Sequence, residues 1–166
     1  MVGPVDLLFV CLGNICRSPT AEAVMSALVA DAGLDGEIRC DSAGTGGWHV
    51  GDLPDRRARD EARRHGIEMT HRGWQVRTSA DLERFDLVLA MDHSNLADLR
   101  RMAPAGWDDA RISLLRSFDP VAGDDEVPDP YYGDADEFAE VFAICQTACR
   151  GLLEHLRPHL GSGPGR

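Results

Sequence analysis

The sequence predicts an α/β domain of three layers: a doubly wound, four-stranded parallel sheet with helices on both faces. Three observations predict it. Four apolar runs are too short for helices, the stretches between them carry helical periodicity, and glycine or proline marks most of the joints. Strands that alternate with helices imply right-handed crossovers and therefore parallel neighbours.

Val5 to Val10 is apolar apart from Asp6, the pattern of a strand covered on both faces. Pro19 then opens a helix with Ser18 as its N-cap; Ala21, Val24, Met25 and Leu28 follow i, i+3, i+4, i+7 spacing, and Gly33 ends it. "EIRCDSAGT" supplies a second strand, Glu37 to Ser42, followed by "GTGGWHVG". The glycines of that loop do not fit the G-x-G-x-x-G of a dinucleotide site, and a pocket wall suits it better. Pro54 starts an arginine-laden helix that runs to His65. "FDLVLAM" (85–91) is the third strand, "SNLADLRRM" a helix and "RISLL" (111–115) the fourth strand. After a proline- and acid-rich loop, Phe138, Val141, Phe142, Cys145, Cys149, Leu152, Leu153 and Leu156 form the apolar stripe of a final helix. Pro158 disturbs its end, between His155 and His159. The reading is one domain over 1–160 and a disordered tail, "GSGPGR", over 161–166.

Composition excludes several classes of chemistry. All 17 Lys+Arg residues are arginine, so a P-loop nucleoside triphosphatase, a protein kinase and Schiff-base catalysis each lack the lysine they require. A net charge of -11 argues against nucleic acid as a partner and requires that any anion site be built locally. No basic residue precedes Arg17 and the first apolar run is far shorter than a membrane span, so neither a secretory leader nor a membrane segment is predicted, and the expected location is the cytoplasm. Five cysteines, an odd number, of which only Cys11 and Cys16 suggest a local partnership, do not read as a disulfide framework. Cys40, Cys145 and Cys149 fall at core positions; the last two are i, i+4 but have no histidine pair to complete a zinc site.

The chemistry gathers where the first strand meets the first helix. Ligands in such sheets bind beyond the carboxyl ends of the strands. Five residues separate Cys11 from Arg17, a spacing used by cysteine-dependent phosphatases but also met by chance, so context decides it. A loop from strand to helix can curl its N–H groups around an oxyanion, with the helix start adding positive potential. Arg17 would clamp two oxygens with its planar fork. Gly13 and Asn14 tolerate the positive φ that a tight ring needs. The same field favours a thiolate at Cys11, and Ser18 is placed to donate to its sulfur. Thiolate attack on a phosphate monoester expels an alkoxide or phenoxide and calls for an acid opposite. Asp129, stiffened by Pro128 and Pro130 in "VPDPYYGD", is the candidate; Asp124, Asp125 and Glu126 are like charges that would help it keep a proton, and Tyr131 and Tyr132 would wall a slot for an aromatic group.

"VCLGNICRSP" and "DPYYGD", with "DSAGT", "MDHSN" and the order of elements, resemble the low-molecular-weight protein tyrosine phosphatases from about Val5 to about Leu160. The resemblance implies hydrolysis of phosphotyrosine through a cysteinyl-phosphate. It implies Cys11 as nucleophile, Arg17 as phosphate ligand and transition-state stabiliser, and Asp129 as acid and then base. The phosphate loop would be Leu12, Gly13, Asn14, Ile15, Cys16, Arg17 and Ser18, with Asn14, Ser18, Ser42 and His71 holding its shape. Leu12, Trp48, Tyr131 and Tyr132 would line the substrate pocket, and Cys16 would protect Cys11 as a reversible disulfide. No metal and no cofactor are implied. The partners would be phosphotyrosine-containing proteins, with inorganic phosphate as product and no nucleic acid or membrane, and the chain would be a monomer or weakly self-associating.

Three alternatives differ at named residues. Thioredoxin-coupled arsenate reductases need relay cysteines, and "AMDHSNLADLRRM" has none. Protein arginine phosphatases carry threonine at the position of Ile15 and lack the tyrosine pair. A silent phosphopeptide-binding module would have lost Cys11, Arg17 or Asp129. His93 stands in "MDHSN" where an acidic residue is usual, a difference expected to touch peptide preference and not chemistry.

Overall fold

The structure, a computed structural model, describes residues 3–161. Residues 162–166, nearly all of the predicted tail, lie outside the described residues. Four strands, β1 (Val5–Cys11), β2 (Ile38–Gly44), β3 (Leu87–Ala90) and β4 (Ile112–Leu114), lie in the order β2-β1-β3-β4, and every neighbouring pair is parallel. The helices are α1 (Arg17–Asp31), α2 (Arg56–Arg64), α3 (Ser79–Glu83), α4 (His93–Met102) and α5 (Ala135–Leu156).

The alternation of side chains along β1 explains the layers. Leu7, Phe9 and Cys11 face one side and join Val24, Met25, Phe142 and Leu152 in a core beneath α1, α2 and α5. Leu8 and Val10 face the other side and pack with Leu82, Leu96 and Leu99 beneath α3 and α4. Leu7, Leu8, Phe9 and Val10 are fully buried, each stabilising the fold by about 1.5–3 kcal/mol. The chain winds from β1 to β2 on one side and then to β3 on the other, so the end of β1, at Cys11, is the switch point where such sheets open a crevice.

Local signals explain the helix ends. Gly33, with φ of 69°, closes α1 as a Schellman motif: its N–H donates to Ala30 O at 3.0 Å and that of Leu34 to Val29 O at 2.9 Å. Asp134 caps α5, accepting from the N–H groups of Asp136 at 3.1 Å and Glu137 at 3.3 Å. The predicted stripe of α5 is buried throughout, and a short 3₁₀ turn, Arg157–His159, follows at Pro158.

The strands differ from the sequence reading by one or two residues at their ends, and the helices differ in three ways. The first helix begins at Arg17, and Ser18 does not cap it, because its hydroxyl is turned to the loop. The cap of α2 is Asp55, accepting from Arg57 N–H at 2.8 Å; Pro54 precedes it. The reading omitted α3, although Asp81 accepts from the N–H groups of Arg77 at 2.9 Å and Thr78 at 3.1 Å, a start signal visible in "RTSAD". No helix among the described residues is long and apolar enough to cross a membrane.

Candidate active site

Between Cys11 and Arg17 the chain reverses within five residues. Asn14 takes the sharpest position, φ 56°, and among the described residues no other non-glycine has positive φ; asparagine adopts this region at less cost than most residues. Gly13, expected to share that role, does not. A Cβ there would meet the His49 ring at 3.4 Å, an ordinary contact, so neither φ nor space requires glycine at this position.

The Asn14 amide is saturated. Oδ1 accepts from Trp74 N–H at 3.2 Å and from His71 Nε2 at 2.8 Å, and Nδ2 donates to Ser18 Oγ at 2.9 Å and Ser42 Oγ at 3.0 Å. A backbone N–H can only donate, so Oδ1 is the acceptor and His71 carries its proton on Nε2. Ser18 Oγ, already accepting from Asn14, has one proton to direct either to Cys11 Sγ at 2.9 Å or to the more distant Ala43 O at 3.4 Å; Asn14 N–H reaches the same sulfur at 3.2 Å. Two donors therefore converge on one thiol at the end of a buried strand. Asn14, Ser18 and Ser42 are almost wholly buried, which makes each of these bonds costly to lose.

Behind this network stand two residues that the sequence reading missed, Glu22 and Asp41. Ser42 Oγ donates to Glu22 Oε1 at 2.8 Å, and His71 Nδ1 lies 3.2 Å from that oxygen and 3.6 Å from Asp41 Oδ1. Burial pushes the Glu22 carboxyl up to about 7, against the lowering effect of Ser42, and burial lowers His71, against Asp41. Glu22 lies one turn into α1, where its i+4 distance from Ser18 was the available signal.

Arg17 is buried. Its Nη1 donates to Asp92 Oδ2 at 2.6 Å and to Val127 O at 3.2 Å, and its Nη2 is 3.7 Å from Asp129 Oδ2. Burial opposes its charge, but Cys11, Asp92 and Asp129 together hold its pKa above the ordinary value. Asp92 was also missed as a site residue: one oxygen anchors Arg17 while the other caps α4, accepting from Asn95 N–H at 2.8 Å.

Asp129 faces this loop with its side chain about half exposed. The expected support from neighbouring acids is not built this way. Asp125 and Glu126 turn to His93, at 2.8 Å each, and Asp124 accepts from Glu126 N–H at 3.0 Å; the charge beside Asp129 is Arg17. His93 is thus tied to acids of the same loop.

A cavity of about 260 Å³ joins Cys11, Leu12, Gly13, Ile15, Cys16 and Arg17 on its floor to Trp48, His49, Asp129, Tyr131 and Tyr132 on its walls. Tyr131 and Tyr132 meet edge to face at 4.9 Å, with Tyr132 almost fully exposed. The Trp48 ring lies directly on Gly46, where any side chain would collide with it. His49 was the wall residue overlooked in the sequence. All five cysteines are free thiols, and burial, then Asp55, pushes Cys16 well above the usual thiol range. The arrangement suits an oxyanion held over a sulfur, with a carboxyl group on the far side and aromatic walls at the mouth.

The sequence pattern of the low molecular weight phosphotyrosine protein phosphatases matches residues 6–160. A low molecular weight protein-tyrosine-phosphatase of Streptomyces coelicolor is 50% identical over 151 residues, covering 90% of this chain and 92% of the relative. The crystal structure of a protein tyrosine phosphatase from Entamoeba histolytica, with Hepes in its active site, superposes with a TM-score of 0.89 at 38% identity, over 93% of this chain and 98% of that one. A Drosophila arginine phosphatase superposes at 0.84 with 34% identity, over 91% and 97% of the two chains. With a match that spans the whole sheet and both walls of the cavity, the chain belongs to the low molecular weight phosphotyrosine protein phosphatase family.

Proposed function

We propose that the chain, acting as one domain over 1–160, hydrolyses phosphotyrosine in proteins through a cysteinyl-phosphate. The observation that carries the reading is the convergence of Ser18 and Asn14 on Cys11 Sγ, with Arg17 beside it and Asp129 across the cavity. In the first step Sγ attacks phosphorus, the P–S bond forms, the P–O bond to the phenol breaks, and Asp129 gives its proton to the leaving oxygen. In the second, the Asp129 carboxylate takes a proton from water, the water oxygen attacks phosphorus, and the P–S bond breaks to release inorganic phosphate. Arg17, fixed by Asp92, and the loop N–H groups hold the equatorial oxygens through both steps. Leu12, Trp48, Tyr131 and Tyr132 enclose the phenol ring, and when a peroxide oxidises Cys11 to the sulfenic acid, Cys16 condenses with it to a disulfide with loss of water, which a thiol reductant reopens. The partners are phosphotyrosine proteins of the cytoplasm, met by a monomer or a weakly associating chain.

The likeness to an arginine phosphatase favours phosphoarginine as a second reading. Against it stand Ile15 on the cavity floor and the tyrosine pair on the wall. Phosphate release from a phosphotyrosine peptide and a phosphoarginine peptide, measured in parallel with reductant and chelator, separates the two. Release from phosphotyrosine alone supports the reading; preference for phosphoarginine keeps the chemistry and overturns the substrate.

A further inference from the structure

The start of α2 touches both the floor and one wall of the cavity. The N–H of Asp55 donates to the carbonyl of Ile15 at 2.8 Å, so the helix cap is tied to the nucleophile loop. The Asp55 carboxylate holds the Arg57 guanidinium through both oxygens, Oδ1 to Nε and Oδ2 to Nη2, each at 3.0 Å. From there the guanidinium reaches across: Nη1 donates to Gly133 O at 3.0 Å and Nη2 to Tyr131 O at 2.9 Å. Its plane also covers the Phe138 ring at 4.5 Å. Among the described residues, the direct hydrogen bonds from 129–133 to the rest of the fold are those Arg57 makes. Tyr131, held by its carbonyl, presents its own N–H, on the other side of its Cα, to Asp129 Oδ1 at 3.1 Å.

We propose that Arg57 is a positioning residue for proton transfer: through Asp55 it holds the Asp129 loop at a fixed distance from the nucleophile loop. The pair with Asp55 is part-buried, and the planar fork spends both edges on three partners, a geometry lysine cannot reproduce. A carboxyl group displaced by about 1 Å transfers its proton far less well while binding is barely touched. The effect therefore falls on substrates whose leaving group needs the proton.

The inference rests on Asp129 being the proton donor, and the experiment separates the two. kcat/KM is measured for phenyl phosphate, with a basic leaving group, and 4-nitrophenyl phosphate, with a weakly basic one, in the parent, Arg57→Ala, Arg57→Lys, Asp129→Ala and the Arg57→Ala/Asp129→Ala double variant. The expected result is that Arg57→Ala loses about tenfold more on phenyl phosphate than on 4-nitrophenyl phosphate, that Arg57→Lys recovers only part of this, and that the double variant discriminates no more than Asp129→Ala alone. Equal losses on both substrates in Arg57→Ala, with Asp129→Ala still discriminating, would overturn the role of Arg57 and leave the proposed function intact. Failure of Asp129→Ala itself to discriminate would overturn both.

Discussion

The loop from Leu12 to Cys16 and the loop from Val127 to Gly133 face one another across the cavity, but they are held by opposite means. The first is buried and saturated: the Asn14 amide uses all of its hydrogen-bonding capacity, and Ser18 and Ser42 are sealed from solvent. The second is anchored at its start, where buried Val127 donates its N–H to Met91 O at 2.8 Å, but beyond that it is exposed, with the Asp129 side chain about half accessible and Tyr132 almost wholly so, and there it hangs on a few contacts from Arg17 and Arg57. A phosphoryl group has one shape in every substrate, and a rigid pre-organised ring recognises it without reorganisation. A peptide chain and a departing phenol vary, and they meet the wall with room to adjust.

The contrast predicts graded losses. Cys11→Ser removes the nucleophile and lowers turnover by on the order of 10⁴-fold or more, while the intact ring of N–H groups still binds phosphate in a titration; steady turnover by this variant would remove the assignment. Asp129→Ala strikes the exposed wall and lowers kcat/KM for phenyl phosphate by about 10²–10³-fold, with a much smaller loss on 4-nitrophenyl phosphate and no loss of thermal stability. Asn14→Ala strikes the buried wall and shows the reverse pattern. It removes one partner each from Ser18, Ser42, His71 and the Trp74 N–H and places at φ 56° an alanine, which adopts this region at more cost than asparagine, so the free energy of urea unfolding falls by about 2 kcal/mol or more. Unchanged stability in that variant would mean that the network does not carry the loop.

The smallest effect is proton-linked. Burial raises the Glu22 carboxyl from 4.5 to about 7 in the folded chain. Between those values the native state holds a proton that the unfolded state releases, so this contribution is fully present below pH 4.5 and is lost as pH rises through 7. Glu22→Gln has no such group, and its stability gains on the parent by about 1 kcal/mol between pH 6 and pH 8, read from urea midpoints. A constant difference over that range would mean that Glu22 is already ionised at pH 6.

Sheet, layers and both walls were legible in the sequence because they rest on local signals. The run before Cys11, the stripe of α5, and the prolines around Asp129 each declare themselves within a few residues. The residues that escaped notice act over long separations. Asp92 meets Arg17 across 75 positions and Arg57 meets Tyr131 across 74, and no periodicity or spacing rule couples such pairs. The misreading of Ser18 as a cap had the same origin. A serine before proline at a helix start is a good cap by propensity, but the sulfur of Cys11 and the amide of Asn14 claim its hydroxyl. The acids 124–126 were assigned to Asp129 by nearness in sequence, whereas the fold turns two of them to His93.

The central claim is that phosphate passes through Cys11 on its way to water. Rapid acid quench of the Asp129→Ala variant during turnover of a radiolabelled phosphotyrosine peptide, followed by proteolysis and mass analysis, tests it directly, because slowed hydrolysis lets the intermediate accumulate. One phosphoryl group is expected on the peptide that contains Cys11 and none when Cys11→Ser is added. Label on any other residue, or turnover with no protein-bound label in the quenched samples, would contradict it.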